Sequence, residues 1–397
     1  MATEADSLQP GLYLSIGIFA WNEERAIVGL LNSLLQQDLF VELQQRNLSA
    51  EIVVVANGCT DATAEAAERA LRRHRENHPA RAALRLRVEN LTARGKNNAW
   101  NQYVHALSSP EARFLIMMDA DILFHRQGTL SSLVRTLEQH PPANVAVDQP
   151  CKHVLFKARK SWRDRLSLAA ARTTQVAEGQ LCGQLYCIRS EIARNIYLPQ
   201  DLAACEDGFI KALVCTDFLA HEVQPERIRL AERAEHTFEA YTSPKAILRN
   251  QKRQVIGQTI VHILIDKCLK QLNAQERARL AATLKARDEK EPGWLKQQIT
   301  NHLRQVRFFW RLHPGLMAQR LKRLRKLGMA ERLRCLPSAA AGSLAELLAS
   351  FNAYRTLKAG CTNYWPKAAR NGFSTTPTPL MRAAGNQPEP AARTAAP

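Results

Sequence analysis

Apolar and polar positions in the first 150 residues switch between two periods. Tyr13–Ala20 reads as a strand, and Ile27, Leu30, Leu31, Leu34 and Leu35 then follow the i, i+3, i+4, i+7, i+8 rule of a half-buried helix. Glu51–Val55 is apolar after its first residue and predicts a strand covered on both faces. Thr60 or Asp61 is placed to cap the helix that follows through Glu76. Leu84, Leu86 and Val88 alternate with Arg85 and Arg87, the pattern of a strand with one wet face. Lys96–Leu107 reads as helix, and Phe114–Met118 is a buried strand running straight into Asp119-Ala120-Asp121. This alternation predicts an α/β fold, an open and mostly parallel sheet with helices on both faces. Such sheets bind ligands at the carboxyl ends of their strands. Polar clusters fall at those ends: Asn22-Glu23, Asn57-Gly58 and Asp119-x-Asp121.

Beyond residue 150 the pattern loosens. Gly179–Arg189 predicts a loop and short strand, Glu206–Cys215 a short helix, and Pro244–Leu272 one long helix. After Pro292 the chain reads as helical and basic, and from about Pro366 it is rich in Pro, Ala, Thr and Gly. The expected division is therefore residues 12–272, a basic helical extension over 273–365, and a disordered tail over 366–397.

Composition narrows the class. At 397 residues, 46% hydrophobic and 23% charged, the chain can bury a sizeable core, which excludes wholesale disorder. No stretch is expected to reach the apolar length of a membrane span; the best candidate, Val255–Ile265, is short and interrupted by Gln258 and His262. Glu4 and Asp6 make the start too acidic for a secretory signal. Nine cysteines without a C-x-x-C pair suit free thiols in a reducing cytoplasm. The net charge of +18 has one location. Residues 1–250 hold 29 basic and 29 acidic side chains, whereas residues 251–397 hold 26 and 8. The back of the chain is therefore expected to face something anionic.

Asp119-x-Asp121 is the sharpest chemical feature. Two carboxylates at the end of a hydrophobic strand are costly to bury bare, and a divalent cation with hard oxygen ligands would offset that cost. Alone, the triplet equally describes two solvated acids at a strand edge. Its context is an ordered set: "SIGIFAWNEERAIVGLLNSLLQQ", "EIVVVANGCTDAT", "ARGKNNAWNQYV" and "FLIMMDADILF", then "GQLYCIRSE", "CEDGFIKAL" and "RNQKRQVIG". In that order they resemble the family 2 glycosyltransferases, of GT-A fold, over roughly residues 12–257. Two departures stand out. Ala56-Asn57 replaces the pair of acids usual before the Gly, and Gln254 replaces the aromatic of the late motif, unlike the processive polysaccharide synthases.

The resemblance implies roles. Asn22, Glu23, Asn57, Asp61, Lys96, Asp119 and Arg253 would bind a nucleotide-sugar donor, most simply a uridine diphosphate sugar. Asp119 and Asp121 would hold Mn²⁺ or Mg²⁺, with His236 a further ligand or else a buried structural histidine. Gly183 and Glu206 would lie on the acceptor side. Asp207 would be the base that activates the acceptor hydroxyl; two adjacent acids at a helix start are also ordinary dipole partners. One base opposite the leaving group implies inversion at the anomeric carbon. Two other classes stay open. A sugar-nucleotide nucleotidyltransferase would want a Gly-rich loop where Ala20-Trp21-Asn22-Glu23 stands, and a degenerate adaptor at an anionic surface would have no need of Asp119, Asp121 and Asp207.

The basic back half has its own pattern. Leu316, Met317, Leu321, Leu324 and Leu327 fall on one helical side, with Arg320 alone among them, against Lys322, Arg323, Arg325 and Lys326. Phe308, Phe309 and Trp310 precede them among Arg304, Arg307 and Arg311. Such faces suit an anionic membrane surface, with a lipid or lipid-linked acceptor, or equally a helix packed on the catalytic part. Nucleic acid ranks below both, because no nucleic-acid module accompanies the charge. The expected location is cytoplasmic, with a peripheral place on the inner membrane face as the membrane variant of that reading.

Overall fold

The structure, a computed structural model, describes residues 11–156, 159–161, 177–202, 205–239, 243–312 and 329–360. Among these, one sheet contains eight strands: β1 (Gly11–Ala20), β2 (Leu48–Asn57), β3 (Leu84–Leu91), β4 (Phe114–Asp119), β5 (Ile122–Leu123), β6 (Val145–Lys152), β7 (Leu185–Arg189) and β8 (Ile228–Phe238). Their order is β3-β2-β1-β4-β7-β6-β8-β5. The first four run parallel; β7 is antiparallel to both β4 and β6, β8 is parallel to β6, and β5 is antiparallel to β8.

The helices are α1 (Ala26–Leu34), α2 (Leu39–Gln45), α3 (Thr63–Asn77), α4 (Lys96–Gln102), α5 (Thr129–Gln139), α6 (Ser190–Arg194), α7 (Glu206–Cys215), α8 (Pro244–Ile263), α9 (Ala274–Ala278), α10 (Leu280–Lys290), α11 (Trp294–Gln305) and α12 (Met329–Lys358). They cover both sheet faces, as the two-residue period of the strands dictates. Leu14, Ile16, Ile18, Ile52, Val54, Ile116 and Met118 share one core with α1, α2, α3 and α5. Phe19, Val53, Val55, Leu115 and Met117 join the other, with Trp100 and Tyr103, Phe209 of α7, and Ile256 and Ile260 of α8. Burial on both faces is why β1, β2 and β4 read as unbroken apolar runs. The α/β architecture is that of the GT-A fold expected from the motifs.

Three local features depart from the sequence reading. β6 and β8 were not legible, since β8 carries charged residues throughout "IRLAERAEHTF" and its pairing with β6 breaks register between Val147 and Gln149. Arg233 in β8 also takes a left-handed backbone, φ 55°. The long helix expected over 244–272 ends at Ile263 and continues as a π turn (Leu264–Cys268) and a 3₁₀ turn (Leu269–Gln271). Against the expectation that none is long enough, one stretch among the described residues, Ala26–Gln45, has the length and apolar character to cross a membrane. It is mostly buried and divided between α1 and α2, which makes it core.

α12 packs on α8 through Ala349, Ala353 and Leu357, and the Tyr354 hydroxyl donates to the Val306 carbonyl at 3.0 Å. The amphipathic pattern read over 316–327 and the tail beyond Pro366 lie outside the described residues.

Candidate active site

The loops after β1 and β2 are clasped to each other. Asn22, in a left-handed conformation (φ 55°), accepts from the Thr60 amide at 2.7 Å and donates Nδ2 to Thr60 Oγ1 at 3.1 Å. The Glu23 amide donates to Thr63 Oγ1 at 2.7 Å, and the Thr63 hydroxyl and amide both donate to Asp61 Oδ1. Asp61 Oδ2 accepts from the Glu24 amide at 3.4 Å. Asn22 and Asp61 thus spend their side chains on the loops that wall this end of the sheet. Gly58 follows β2 at φ +58°, where a Cβ would press on the Arg94 side chain, so the turn favours glycine. Just before it, Asn57 is buried (4% exposed), and its Oδ1 has no hydrogen-bond partner among the described residues.

Lys96 is the hub. It opens α4 after Gly95, and its ammonium donates to Asp119 Oδ1 at 2.7 Å, to Glu206 Oε1 at 2.8 Å and to the Gly183 carbonyl at 3.3 Å. Burial alone would lower its pKa, but Asp119 and Glu206 raise it well above the usual lysine value. The strand-end acid, the helix-start acid and the loop before β7 are thereby brought together. That loop also crosses the tip of β4, where the Asp119 amide donates to the Gln184 carbonyl at 2.9 Å.

The carboxylates differ in electrostatics. Burial pushes Asp119 up to about 6; Lys96 opposes the shift and the charge of Asp121 adds to it. Burial also acts on Glu206, but the charge and hydrogen bond of Lys96, with help from Arg253, bring it down to about 2. Asp207 is pushed up to about 6 by burial first and by the charge of Glu206 second. Its Oδ1 accepts from the Gly208 amide at 2.7 Å. Arg253, on α8, acts on both Glu206 and Asp207, so the late basic motif does reach this cluster. Gly183 lies against the same helix start: a Cβ there would sit 3.3 Å from both Glu206 Oε1 and Asp207 Cβ.

Cys205, immediately before Glu206, is held at φ 136°, a conformation L residues rarely adopt. Its amide donates to Glu206 Oε2 at 3.2 Å. The turn into α7 is therefore strained where it presents the two acids.

His236 meets this cluster through Gln184, the residue whose carbonyl accepts from the Asp119 amide. It is wholly buried on β8, with Nδ1 2.7 Å from Asp148 Oδ2 on β6 and Nε2 3.4 Å from Gln184 Oε1. Among the described residues no three His, Cys, Asp or Glu side chains form a metal-binding group. A divalent cation still fits Asp119 and Asp121, because Mg²⁺ and Mn²⁺ take one or two carboxylates and complete their shell with phosphate oxygens and water. Burial first, and the neighbouring charge of Asp121 after it, disfavour the ionised form of Asp119, a cost that a cation between the two carboxylates would offset.

The model of glycosyl transferase family 2 matches residues 15–184, the stretch that carries the clasped loops, Lys96 and Asp119-x-Asp121. This stretch belongs to that family. Among solved structures, the chain is similar to glucosyl-3-phosphoglycerate synthase from Mycobacterium tuberculosis, in complex with Mn²⁺, uridine-diphosphate-glucose and phosphoglyceric acid. That likeness has 15% identity and a TM-score of 0.40, and covers 66% of this chain and 81% of that one. S. aureus TarS is similar at 19% identity and a TM-score of 0.40, over 87% of this chain and 55% of that one. A search of curated protein sequences finds no match.

Two residues near this cluster, Gln184 and Asp148, carry no signal of their partners in local sequence spacing. Gln184 sits inside "GQLYCIRSE", where nothing in the motif marks its carbonyl as the acceptor of the Asp119 amide. Asp148 was visible only as an acid closing the apolar run Val145-Ala146-Val147, a position where a charge needs a partner; that partner is His236.

Proposed function

We propose that the chain is a divalent-metal-dependent, inverting glycosyltransferase that moves a sugar from a UDP-linked donor to an acceptor hydroxyl. The observation that carries this reading is the Lys96 bridge, which joins Asp119 of the Asp-x-Asp strand end to Glu206, neighbour of Asp207, in a family 2 chain. The donor's diphosphate would lie at the Asp119–Asp121 end and the acceptor at the α7 start.

In this reading Asn57 offers its otherwise unpartnered buried oxygen to the nucleobase, since a buried acceptor without a partner is costly unless a ligand or water satisfies it. Asn22, Glu23 and Asp61 form the loop wall beside it. Asp119 and Asp121 hold Mn²⁺ or Mg²⁺, which when bound neutralises charge developing on the diphosphate leaving group. Lys96 and Arg253 keep the surrounding acids balanced and face the pyrophosphate. Asp207 takes the proton from the acceptor hydroxyl, and its pKa of about 6 leaves it ionised at neutral pH. The catalytic part is residues 12–272. We read the chain as cytoplasmic, in keeping with free thiols from Cys59 to Cys268, and the basic C-terminal part supports an acceptor presented at a lipid surface.

The test uses the full chain with UDP-sugars, with and without Mn²⁺. UDP release that requires metal, and that is lost in Asp207→Asn while the variant keeps its donor-induced thermal shift, is the expected result. Release of pyrophosphate, or full turnover by Asp207→Asn, would overturn it.

A further inference from the structure

The C-terminal part exposes an apolar surface that the catalytic reading does not use. α12 buries one seam, Ala349, Ala353 and Leu357, against the body of the protein. Leu344, Leu348, Phe351 and Arg355 lie on the opposite side, within roughly 60° of one another at 3.6 residues per turn. All four are exposed, Leu344 at 60% and Phe351 at 43%. The turn after α11 extends the stripe. Phe309 meets Phe351 edge-on at 5.5 Å, and Phe308 stacks on Trp310 at 4.6 Å, both outer rings 47% exposed. These residues form one continuous patch rather than scattered surface hydrophobes.

Its charge has one sign. Arg304, Arg307, Arg355 and Lys358 are exposed around it, and Arg355 leans over the Phe351 ring at 5.9 Å. The sole carboxylate within residues 301–312 and 342–360 is Glu346, which is buried.

We propose that this face, Phe308, Trp310, Leu344, Leu348 and Phe351 rimmed by basic side chains, docks on an anionic lipid bilayer. Leucine and aromatic side chains enter the headgroup boundary while the arginines and Lys358 meet anionic headgroups. A nucleic acid would use the arginines and could stack on the aromatics, but it has no use for the two exposed leucines. The inference is independent of the transfer chemistry, because none of these residues belongs to the Lys96 cluster.

The experiment is flotation of the full chain with phosphatidylcholine vesicles, with and without phosphatidylglycerol, over a salt series. Leu344→Gln/Leu348→Gln is run beside the wild type, with Trp310→Ser as a second variant should the first lower the melting temperature. The protein should float with phosphatidylglycerol vesicles, bind roughly ten-fold less to neutral ones, and lose a similar factor in the variants while metal-dependent UDP release is unchanged. Failure to float, equal flotation of variant and wild type, competition by an oligonucleotide, or a dimer that the double variant abolishes would each overturn it.

Discussion

Lys96 Nζ and Glu206 Oε1 stand 2.8 Å apart, a contact that fastens the first turn of α4 to the first turn of α7 across 110 residues of chain. Glu206 stays ionised in a buried place because of it. Replacing the ammonium by an apolar chain of similar length leaves two buried carboxylates without their counter-charge. Lys96→Met should therefore destabilise the fold by about 3 kcal/mol, the scale for a buried pair broken from one side. Denaturant unfolding checks it; an unchanged midpoint would mean that water reaches Glu206 and does the same work.

The pH dependence follows from Asp207. Its pKa is raised from 3.8 to about 6, so the folded state holds the proton more tightly than the unfolded chain. The stability this contributes is complete below about pH 4 and is lost as pH rises through 6. Activity should run the other way, with kcat/KM rising through an apparent pKa near 6 to a plateau at neutral pH. Asp207→Asn should be inactive yet more stable than wild type at pH 7, by on the order of 1–3 kcal/mol, and equal to it near pH 4. Paired melting and rate profiles would expose the assignment if the two trends moved together.

Gly183→Ala is a purely steric probe. The added methyl would crowd Glu206 Oε1 and Asp207 Cβ at 3.3 Å, tight enough to push the start of α7 by a few tenths of an ångström. Such overpacking costs about 1 kcal/mol, while on the proposed function turnover should fall much more steeply, because Asp207 as base would be displaced from the acceptor hydroxyl. Turnover equal to wild type would show that the acceptor is bound elsewhere.

The buried Asp148–His236 pair predicts a stability effect. Asp148→Ala removes the acceptor 2.7 Å from His236 Nδ1 and strands the ring nitrogen in a site with no exposed surface. A loss of about 2 kcal/mol is expected, the range for a buried polar group left without its partner. Urea unfolding measures it, and a neutral outcome would require the ring to find another partner.

β1, β2 and β4 were legible because each is buried on both faces and written in apolar residues, from "SIGIF" to "FLIMM", and β3 because Leu84, Leu86 and Val88 alternate with Arg85 and Arg87. β6 and β8 were not, because partners distant in the chain hold them in the sheet: Val145 meets Ile228, and Glu235 meets Gln149. Motif order gave Lys96, Asp119, Glu206 and Asp207 as members of one site. That the ammonium grips two of the carboxylates, and that Asn22 and Asp61 are spent on Thr60 and Thr63, depends on how loops after different strands meet. Local spacing carries no record of that. His236 was open between two readings for the same reason, since its neighbour Asp148 lies 88 residues away.

The Asn22–Thr60 clasp bears on how readily the donor is captured. The chain itself freezes the two loops, so the entropy of immobilising them is lost at folding and is not charged again when a nucleotide arrives. Thr60→Ala would hand part of that ordering back to the encounter: the nucleotide should bind more weakly at unchanged chemistry, with the deficit appearing as an unfavourable entropy in calorimetry.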